Sequence, residues 1–300
     1  LITGTNGQLG RAFISSFSKL GFEIKSKEMD QNTCIVHWEK AEVSFNSIIL
    51  NIAKRLDVLE VINNYSPELV INCCAATDVD LIQSNPNLGI KSNVLGVLNL
   101  NQICSEKKIR QIYFSTEAAY DGKKTLPYFE FDEENPQSYY ALTKVIADKI
   151  VLNSSSRSWI FRTSWLYSLN AKSTFVTRIL EKSKSSSDKI GVTSDIVGNP
   201  TPAWWLAKTV LDLIPNLDNL PPDLYHLCST QPVSKYDWAK RIISDLNPEK
   251  NSLIIPTKRL DYPNANLRSP YVDLSTSKIQ KALNLSTFPN WEQLWLKTIN

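Results

Sequence analysis

Leu1-Ile-Thr-Gly-Thr-Asn-Gly-Gln-Leu-Gly-Arg-Ala-Phe13 is the stretch that decides the fold. Apolar residues close a strand, Gly4, Gly7 and Gly10 follow at three-residue spacing, and a helix-like apolar pattern begins over Ala12–Leu20. Glycines in that position permit a tight turn, bring the backbone close to a pyrophosphate and let the helix pack onto the strand. The helix N-terminus adds free N–H groups and the positive end of its dipole. The pattern predicts the first strand–turn–helix unit of a dinucleotide-binding sheet. Working outward, Phe22–Lys27 reads as a second strand, Ile48–Ile52 as a third, Asp57–Tyr65 as a helix and Pro67–Cys74 as a fourth strand. That last run is continuously apolar, as a strand buried on both faces requires. Residues 28–46 are polar and carry no clear periodicity. A helix over about 88–107 completes the alternation, which predicts an α/β, doubly wound parallel sheet with ligands at the carboxyl ends of its strands.

A second stretch carries chemistry. Ile112-Tyr-Phe114 is a short β-rich run ending at Ser115-Thr116, and from Tyr140 the pattern turns helical, with Leu142, Val145, Ile146 and Ile150 at spacings of three and four. Tyr140 and Lys144 are then one turn apart on one helical face. A phenol titrates near pH 10. A neighbouring ammonium favours the phenolate and brings it toward working pH. A strand-end hydroxyl, a Tyr and a Lys in this arrangement form a proton-transfer device.

Composition narrows the alternatives. The 300 residues carry a net charge of +3 with both signs interspersed, which gives no basic field for nucleic acid. No apolar run approaches the roughly 18–20 residues a membrane span needs, and no signal peptide is visible at this start. Five cysteines form no C-x-x-C pair, which suits a reducing, cytoplasmic setting, and Cys73-Cys74 sit in the apolar fourth-strand run as expected small buried residues. His37 and His226 are the only histidines, so a His-based metal centre or Ser-His-Asp triad lacks material, and no metal is expected. Beyond about residue 155 the pattern becomes irregular. Trp159–Thr163 reads as a strand, Phe175–Lys184 as a helix, Lys182–Asp188 as a solvated loop, and Val233–Leu246 as a helix capped by Ser234. Trp291 and Trp295, at i and i+4, form a packing face. The organisation expected is a dinucleotide-binding domain over 1–160 and a smaller mixed α/β substrate lobe over 161–300, interleaved with the sheet.

Several pieces together resemble the dTDP-4-dehydrorhamnose reductase family of extended short-chain dehydrogenases/reductases. They are Thr-Gly-Thr-Asn-Gly-Gln-Leu-Gly (3–10), Ile-Asn-Cys-Cys-Ala-Ala-Thr-Asp-Val-Asp (71–80), Ser-Thr…Tyr-Asp-Gly (115–122), Pro-x-x-x-Tyr-Ala-Leu-Thr-Lys (136–144), Phe-Arg-Thr-Ser-Trp-Leu-Tyr (161–167) and Gly-Asn-Pro-Thr (198–201). The resemblance implies a Rossmann fold and reduction of a 4-keto-6-deoxy sugar nucleotide by a nicotinamide cofactor. It makes Tyr140 the proton donor, Lys144 the ribose ligand and Thr116 the residue that hydrogen-bonds the carbonyl. It further implies cofactor contacts from Gly4, Gly7, Gln8, Leu9, Gly10, Asn51, Ile52, Ala75, Ala76 and Thr77. Substrate contacts fall to Thr116, Glu117, Val79 and Trp165, and a homodimer is compatible with it.

The chain departs from the family at telling places. The family reads Ser-Thr-Asp-Tyr-Val-Phe where this chain reads Ser115-Thr-Glu-Ala-Ala-Tyr120, so Glu117 replaces an Asp and Ala118 a Tyr. Asn51 stands where the family places Asp. The small residues at 118–119 keep a related epimerase open, and a non-catalytic relative such as the methionine adenosyltransferase regulatory subunit is a third reading. The strand-two acid that selects NADH is replaced by Lys27 next to Ser26. A cation and a hydroxyl suit a 2′-phosphate, so NADPH is expected, with NADH as the alternative.

Overall fold

The computed structural model describes residues 1–19, 32–39, 42–154, 157–185 and 187–300. The predicted strand Phe22–Lys27, and with it Lys27, lies outside the described residues. The central sheet has seven strands, taken in chain order as β1 (Ile2–Thr3), β2 (Thr33–Glu39), β3 (Glu42–Ile48), β4 (Leu69–Asn72), β5 (Arg110–Thr116), β6 (Ser158–Thr163) and the strand Leu224–His226. Across the sheet the order is Leu224–His226, β6, β5, β4, β1, β2, β3. β4 runs parallel to both β1 and β5, with Ile2 opposite Ile71 and Val70 opposite Gln111. The doubly wound α/β reading therefore holds, with helices between strands.

One edge differs from expectation. Ile48–Ile52 is not a strand; instead Thr33–Glu39 and Glu42–Ile48 form an antiparallel hairpin in full register, and β2 pairs antiparallel with β1. β3 reads Glu-Val-Ser-Phe-Asn-Ser-Ile, in which polar residues interrupt any continuous apolar run. Within 48–52 the apolar residues divide, Ile49 being exposed and Leu50 and Ile52 buried. Leu50 and Ile52 enter a core with Leu1, Val58, Ile62, Val70, Leu100 and Ile103. Asn32 fastens the hairpin exit, donating from Nδ2 to the Leu50 carbonyl and accepting at Oδ1 from its N–H, both at 2.8 Å.

Three further expectations need correction. β4 stops at Asn72, so Cys73 and Cys74 follow the strand and are only half-buried. The helix expected over 88–107 begins as Pro86–Gly89, widens into a π-turn over Ile90–Leu95 and continues as Gly96–Lys107. The helix Phe175–Ser185 runs into the predicted loop because Ser183 is buried and takes a 3.0 Å hydrogen bond from Asn247 Nδ2.

The chain forms two compact units. The first comprises Leu1–Thr116, Ser138–Arg162 and Ala203–Tyr225; the second comprises Glu117–Gln137, Thr163–Pro202 and His226–Asn300. The second unit has its own core of Trp238, Trp295, Tyr167, Ile242 and Ile254, against which Trp291 also packs. Ser234 caps the helix Lys235–Leu246 by accepting from the Asp237 N–H at 3.0 Å. Among the described residues no helix is long and apolar enough to cross a membrane.

Candidate active site

The site is built at the carboxyl ends of β1, β4 and β5, all in the first unit. After β1 the chain turns at Gly4, whose φ of +70° suits glycine. A Cβ there would lie 2.8 Å from the Cys73–Cys74 peptide, so β1 and β4 meet closely at this point. The Gly7 N–H donates to the Gly4 carbonyl at 2.9 Å and closes the turn, and the helix Gln8–Lys19 starts immediately. A Cβ on Gly10 would sit 2.2 Å from Gly4 O and 2.6 Å from Thr5 Cα. Leu9 is buried, and Gln8 Nε2 is a buried donor without a partner. A tight turn, a helix N-terminus and an uncommitted amide donor fit a pyrophosphate. Gly10→Ala should therefore weaken cofactor binding by roughly tenfold or more, since overpacking of about 1–3 kcal/mol falls on backbone that cannot step aside. Fluorescence titration with the reduced cofactor measures it.

The segment after β4 is held by Asn93, a residue that sequence reasoning passed over. Its Oδ1 accepts from Ala76 N–H at 2.8 Å, and its Nδ2 donates to Ala76 O and to Thr143 Oγ1, each at 3.0 Å. Asn93 sits inside the π-turn, a distortion that recurs at functional sites. It ties Ala75-Ala76-Thr77 to the helix Tyr139–Leu152. No sequence signal sets it apart, because Lys91, Ser92, Asn99 and Asn101 make the surrounding helix polar as well; its burial and its bonds to Ala76 and Thr143 emerge only in the fold. Val79 opens the short helix Val79–Ser84 behind its Asp78 cap. Asn51 is exposed and turns the chain by accepting from Ala53 N–H at 3.1 Å, while Ile52 beside it is buried.

Thr116 is the last residue of β5 and is buried. The helix Tyr139–Leu152 starts at a Ser138 cap and puts Tyr140, half-buried, one turn before Lys144. Lys144 is 3% exposed and its ammonium turns onto β5. There it donates to the Tyr113 hydroxyl and, at 2.6 Å, to the Phe114 carbonyl. Burial pulls the Lys144 ammonium down to about 8, opposed by Asp148 and reinforced by Arg162. One turn further along the helix, Asp148 accepts from Arg162 at 2.6 Å and from Ser115 Oγ at 2.8 Å, with both charged side chains fully buried. Burial pushes the Asp148 carboxyl up, and Arg162 pulls it back. Residues 140, 144 and 148 thus form one polar stripe against β5 and β6. Their regular spacing of four was present in the sequence.

Glu117 and Trp165 belong to the second unit. Trp165 is half-buried, adopts φ +38°, and stacks on Trp238 with centroids 5.9 Å apart. A Cβ on Gly198 would lie 2.5 Å from its ring, so the glycine makes room for the indole. Lys235 Nζ lies 5.4 Å above the Trp165 ring. Burial takes that lysine down to about 8, Arg268 adding to the effect and Glu117 opposing it. His226 is a satisfied packing residue, with Nε2 2.9 Å from Tyr120 Oη and Nδ1 3.1 Å from Ser275 O.

A glycine turn after the first strand, a mostly parallel sheet and a Tyr-x-x-x-Lys helix docked on β5 define a dinucleotide-dependent enzyme of the short-chain dehydrogenase/reductase class. Within that class, the family model described as the RmlD substrate binding domain matches residues 1–299, and the chain belongs to this family. A spore coat polysaccharide biosynthesis protein, SpsK, from Bacillus subtilis is 27% identical over 282 residues, covering 94% of this chain and 90% of the relative. The structure of a dTDP-4-dehydrorhamnose reductase from Clostridium acetobutylicum superposes with a TM-score of 0.82 at 27% identity, covering 99% of this chain and 97% of that one. A dTDP-4-dehydrorhamnose reductase from Bacillus anthracis, solved in complex with NADP, gives 0.80 at 24% identity with coverage of 99% and 97%.

Proposed function

We propose that this chain reduces the 4-keto group of a 4-keto-6-deoxy sugar nucleotide, with dTDP-4-dehydro-L-rhamnose converted to dTDP-L-rhamnose as the reference reaction. The observation that carries the reading is the constellation of Thr116 at the end of β5 with Tyr140 and Lys144 one turn apart, in the same unit as the glycine turn. The names of the relatives at 27% identity support sugar-nucleotide chemistry for polysaccharide assembly.

When bound, the nicotinamide cofactor supplies the hydride. Gly4, Gly7, Gln8, Leu9 and Gly10 would hold its pyrophosphate, with Asn51-Ile52 at the adenine and Ala75-Ala76-Thr77 supplying contacts from the segment after β4. Thr116 donates a hydrogen bond to the sugar carbonyl oxygen. The Tyr140 phenol gives its proton to the alkoxide that forms there, and Lys144 binds the ribose while its positive charge eases that proton's departure. Glu117, Val79 and Trp165 contact the sugar nucleotide. Trp165 combines an apolar face with an N–H donor, suited to a base or sugar ring.

The direct test follows NADPH or NADH absorbance with a 4-keto-6-deoxy sugar nucleotide. Stoichiometric oxidation supports the reductase. Isomerised sugar without net oxidation would assign an epimerase, and cofactor binding without any turnover a regulatory protein.

NADPH is the cofactor proposed over NADH. The Bacillus anthracis relative is an NADP complex, and Lys27-after-Ser26 stands where an NADH-selecting acid is expected. Lys27→Asp should raise the KM for NADPH by roughly fivefold, the equivalent of one exposed charge–phosphate contact of about 1 kcal/mol. The KM for NADH should hold or fall. Unchanged discrimination in steady-state kinetics would remove Lys27 from the cofactor site.

A further inference from the structure

Tyr113 lies in the middle of β5, is 0% exposed, and is surrounded by Val97, Ala147, Val151, Ile160 and Leu224. Phenylalanine would suit those neighbours better, because a hydroxyl in an apolar cluster is costly unless it is hydrogen-bonded. The partner it has is the ammonium of Lys144, which also lies 4.1 Å from the centre of the Tyr113 ring. We propose that Tyr113 is a positioning residue for the reaction, fixing the Lys144 ammonium through its phenol oxygen so that one N–H is left for the cofactor ribose. The assignment rests on the reductase reading for its chemistry, but not for its geometry.

Hydrogen-bond arithmetic supports it. An ammonium has three donors; here one goes to Tyr113 Oη and one to Phe114 O, which leaves one uncommitted. Without the phenol two N–H groups would be loose inside a buried site, and the side chain would be free to rotate. The ring adds a second contribution, since an aromatic face attracts a cation. Tyr113 itself does not surrender a proton. Burial pushes its phenol well above the ordinary range, with Asp148 and Tyr140 adding to the rise and Arg162 opposing it, so it remains a neutral acceptor beside the ammonium.

The groups around the ammonium all bear on its charge. They are Tyr113 and the Phe114 carbonyl from β5, Tyr140 and Asp148 from its own helix, Arg162 from β6, and Cys73 and Cys74 after β4. Asp148, Cys73 and Cys74 favour the charged form, while burial and Arg162 oppose it; the Tyr113 oxygen, accepting from the ammonium, favours the charged form as any acceptor on that group does. Removing the phenol oxygen therefore lowers the pH at which Lys144 loses its proton.

Tyr113→Phe keeps the ring and deletes the acceptor. Cofactor affinity measured by fluorescence titration across pH 6–10 reads Lys144 without needing the sugar. In the wild type, affinity should fall as pH rises through a midpoint near 8. In Tyr113→Phe that midpoint should move down by about one pH unit, a tenfold loss of the ammonium form at a given pH above it. The melting temperature should change little. An unmoved midpoint, or a wild type with no alkaline limb, would overturn the proposal and leave Tyr113 a packing residue. A wild type that binds cofactor with this limb but reduces no sugar nucleotide would instead defeat the reductase reading and leave the role of Tyr113 intact.

Discussion

Tyr140→Phe should lower kcat by about 10²–10⁴-fold, the contribution of a positioned general acid, with cofactor affinity nearly unchanged. The substitution removes one oxygen and keeps the ring, so the half-buried packing of the helix start is preserved. It leaves Ser138 in place as the cap, accepting from Ala141 N–H at 3.2 Å. Lys144 also keeps both of its contacts on β5. The loss should therefore appear in turnover, and KM for the sugar should move little. Tyr139 is the internal control. It is 45% exposed and its backbone N–H donates to Gln83 Oε1, a bond the substitution leaves in place, so Tyr139→Phe should be silent. Near-normal turnover in Tyr140→Phe would sink the assignment of the proton donor.

The parts of this molecule legible in the sequence are those that local chemistry dictates. Gly4 needs positive φ and Gly10 has no room for a Cβ, and such demands leave a glycine pattern. The four-residue spacing of Tyr140 and Lys144 fixes their common face before any tertiary contact forms. The hairpin of β2 and β3 was not legible, because β3 is the edge strand of the sheet and both strands interleave polar with β-branched residues. Edge strands lack the continuous apolar signal that revealed β4. Leu50 and Ile52 misled for the opposite reason, being apolar without belonging to a strand. In the site, the direction taken by the Lys144 ammonium was also hidden. Spacing places it beside Tyr140, but only the fold brings Tyr113 and the Phe114 carbonyl within reach and turns the side chain toward the sheet.

Arg162→Met should strongly destabilise the first unit. Arg162 and Asp148 are both 0% exposed and meet at 2.6 Å, and Ser115 Oγ adds a second hydrogen bond to the carboxylate. Deleting the guanidinium strands a buried carboxylate. Breaking a buried pair from one side costs about 3–5 kcal/mol, enough to lower the melting temperature by on the order of 10 °C for a chain of this size. The pH dependence gives the sign. Asp148 already has its carboxyl raised by burial, with Arg162 the largest restraint on that rise. Without Arg162 the native-state value climbs further above the unfolded one, so the native state of the variant binds the proton more tightly. The penalty is then smallest at acidic pH, below the unfolded value, and grows as pH rises through the native one. Scanning calorimetry at several pH values should accordingly find the wild-type and variant curves converging toward acid. Adding Asp148→Leu should recover much of the loss at neutral pH, because an apolar pair avoids the desolvation cost. A single variant as stable as the double at every pH would mean that the ion pair does not hold helix Tyr139–Leu152 to β6. Recovery of stability should not restore full turnover, since Asp148 is also the group that favours the charged form of Lys144.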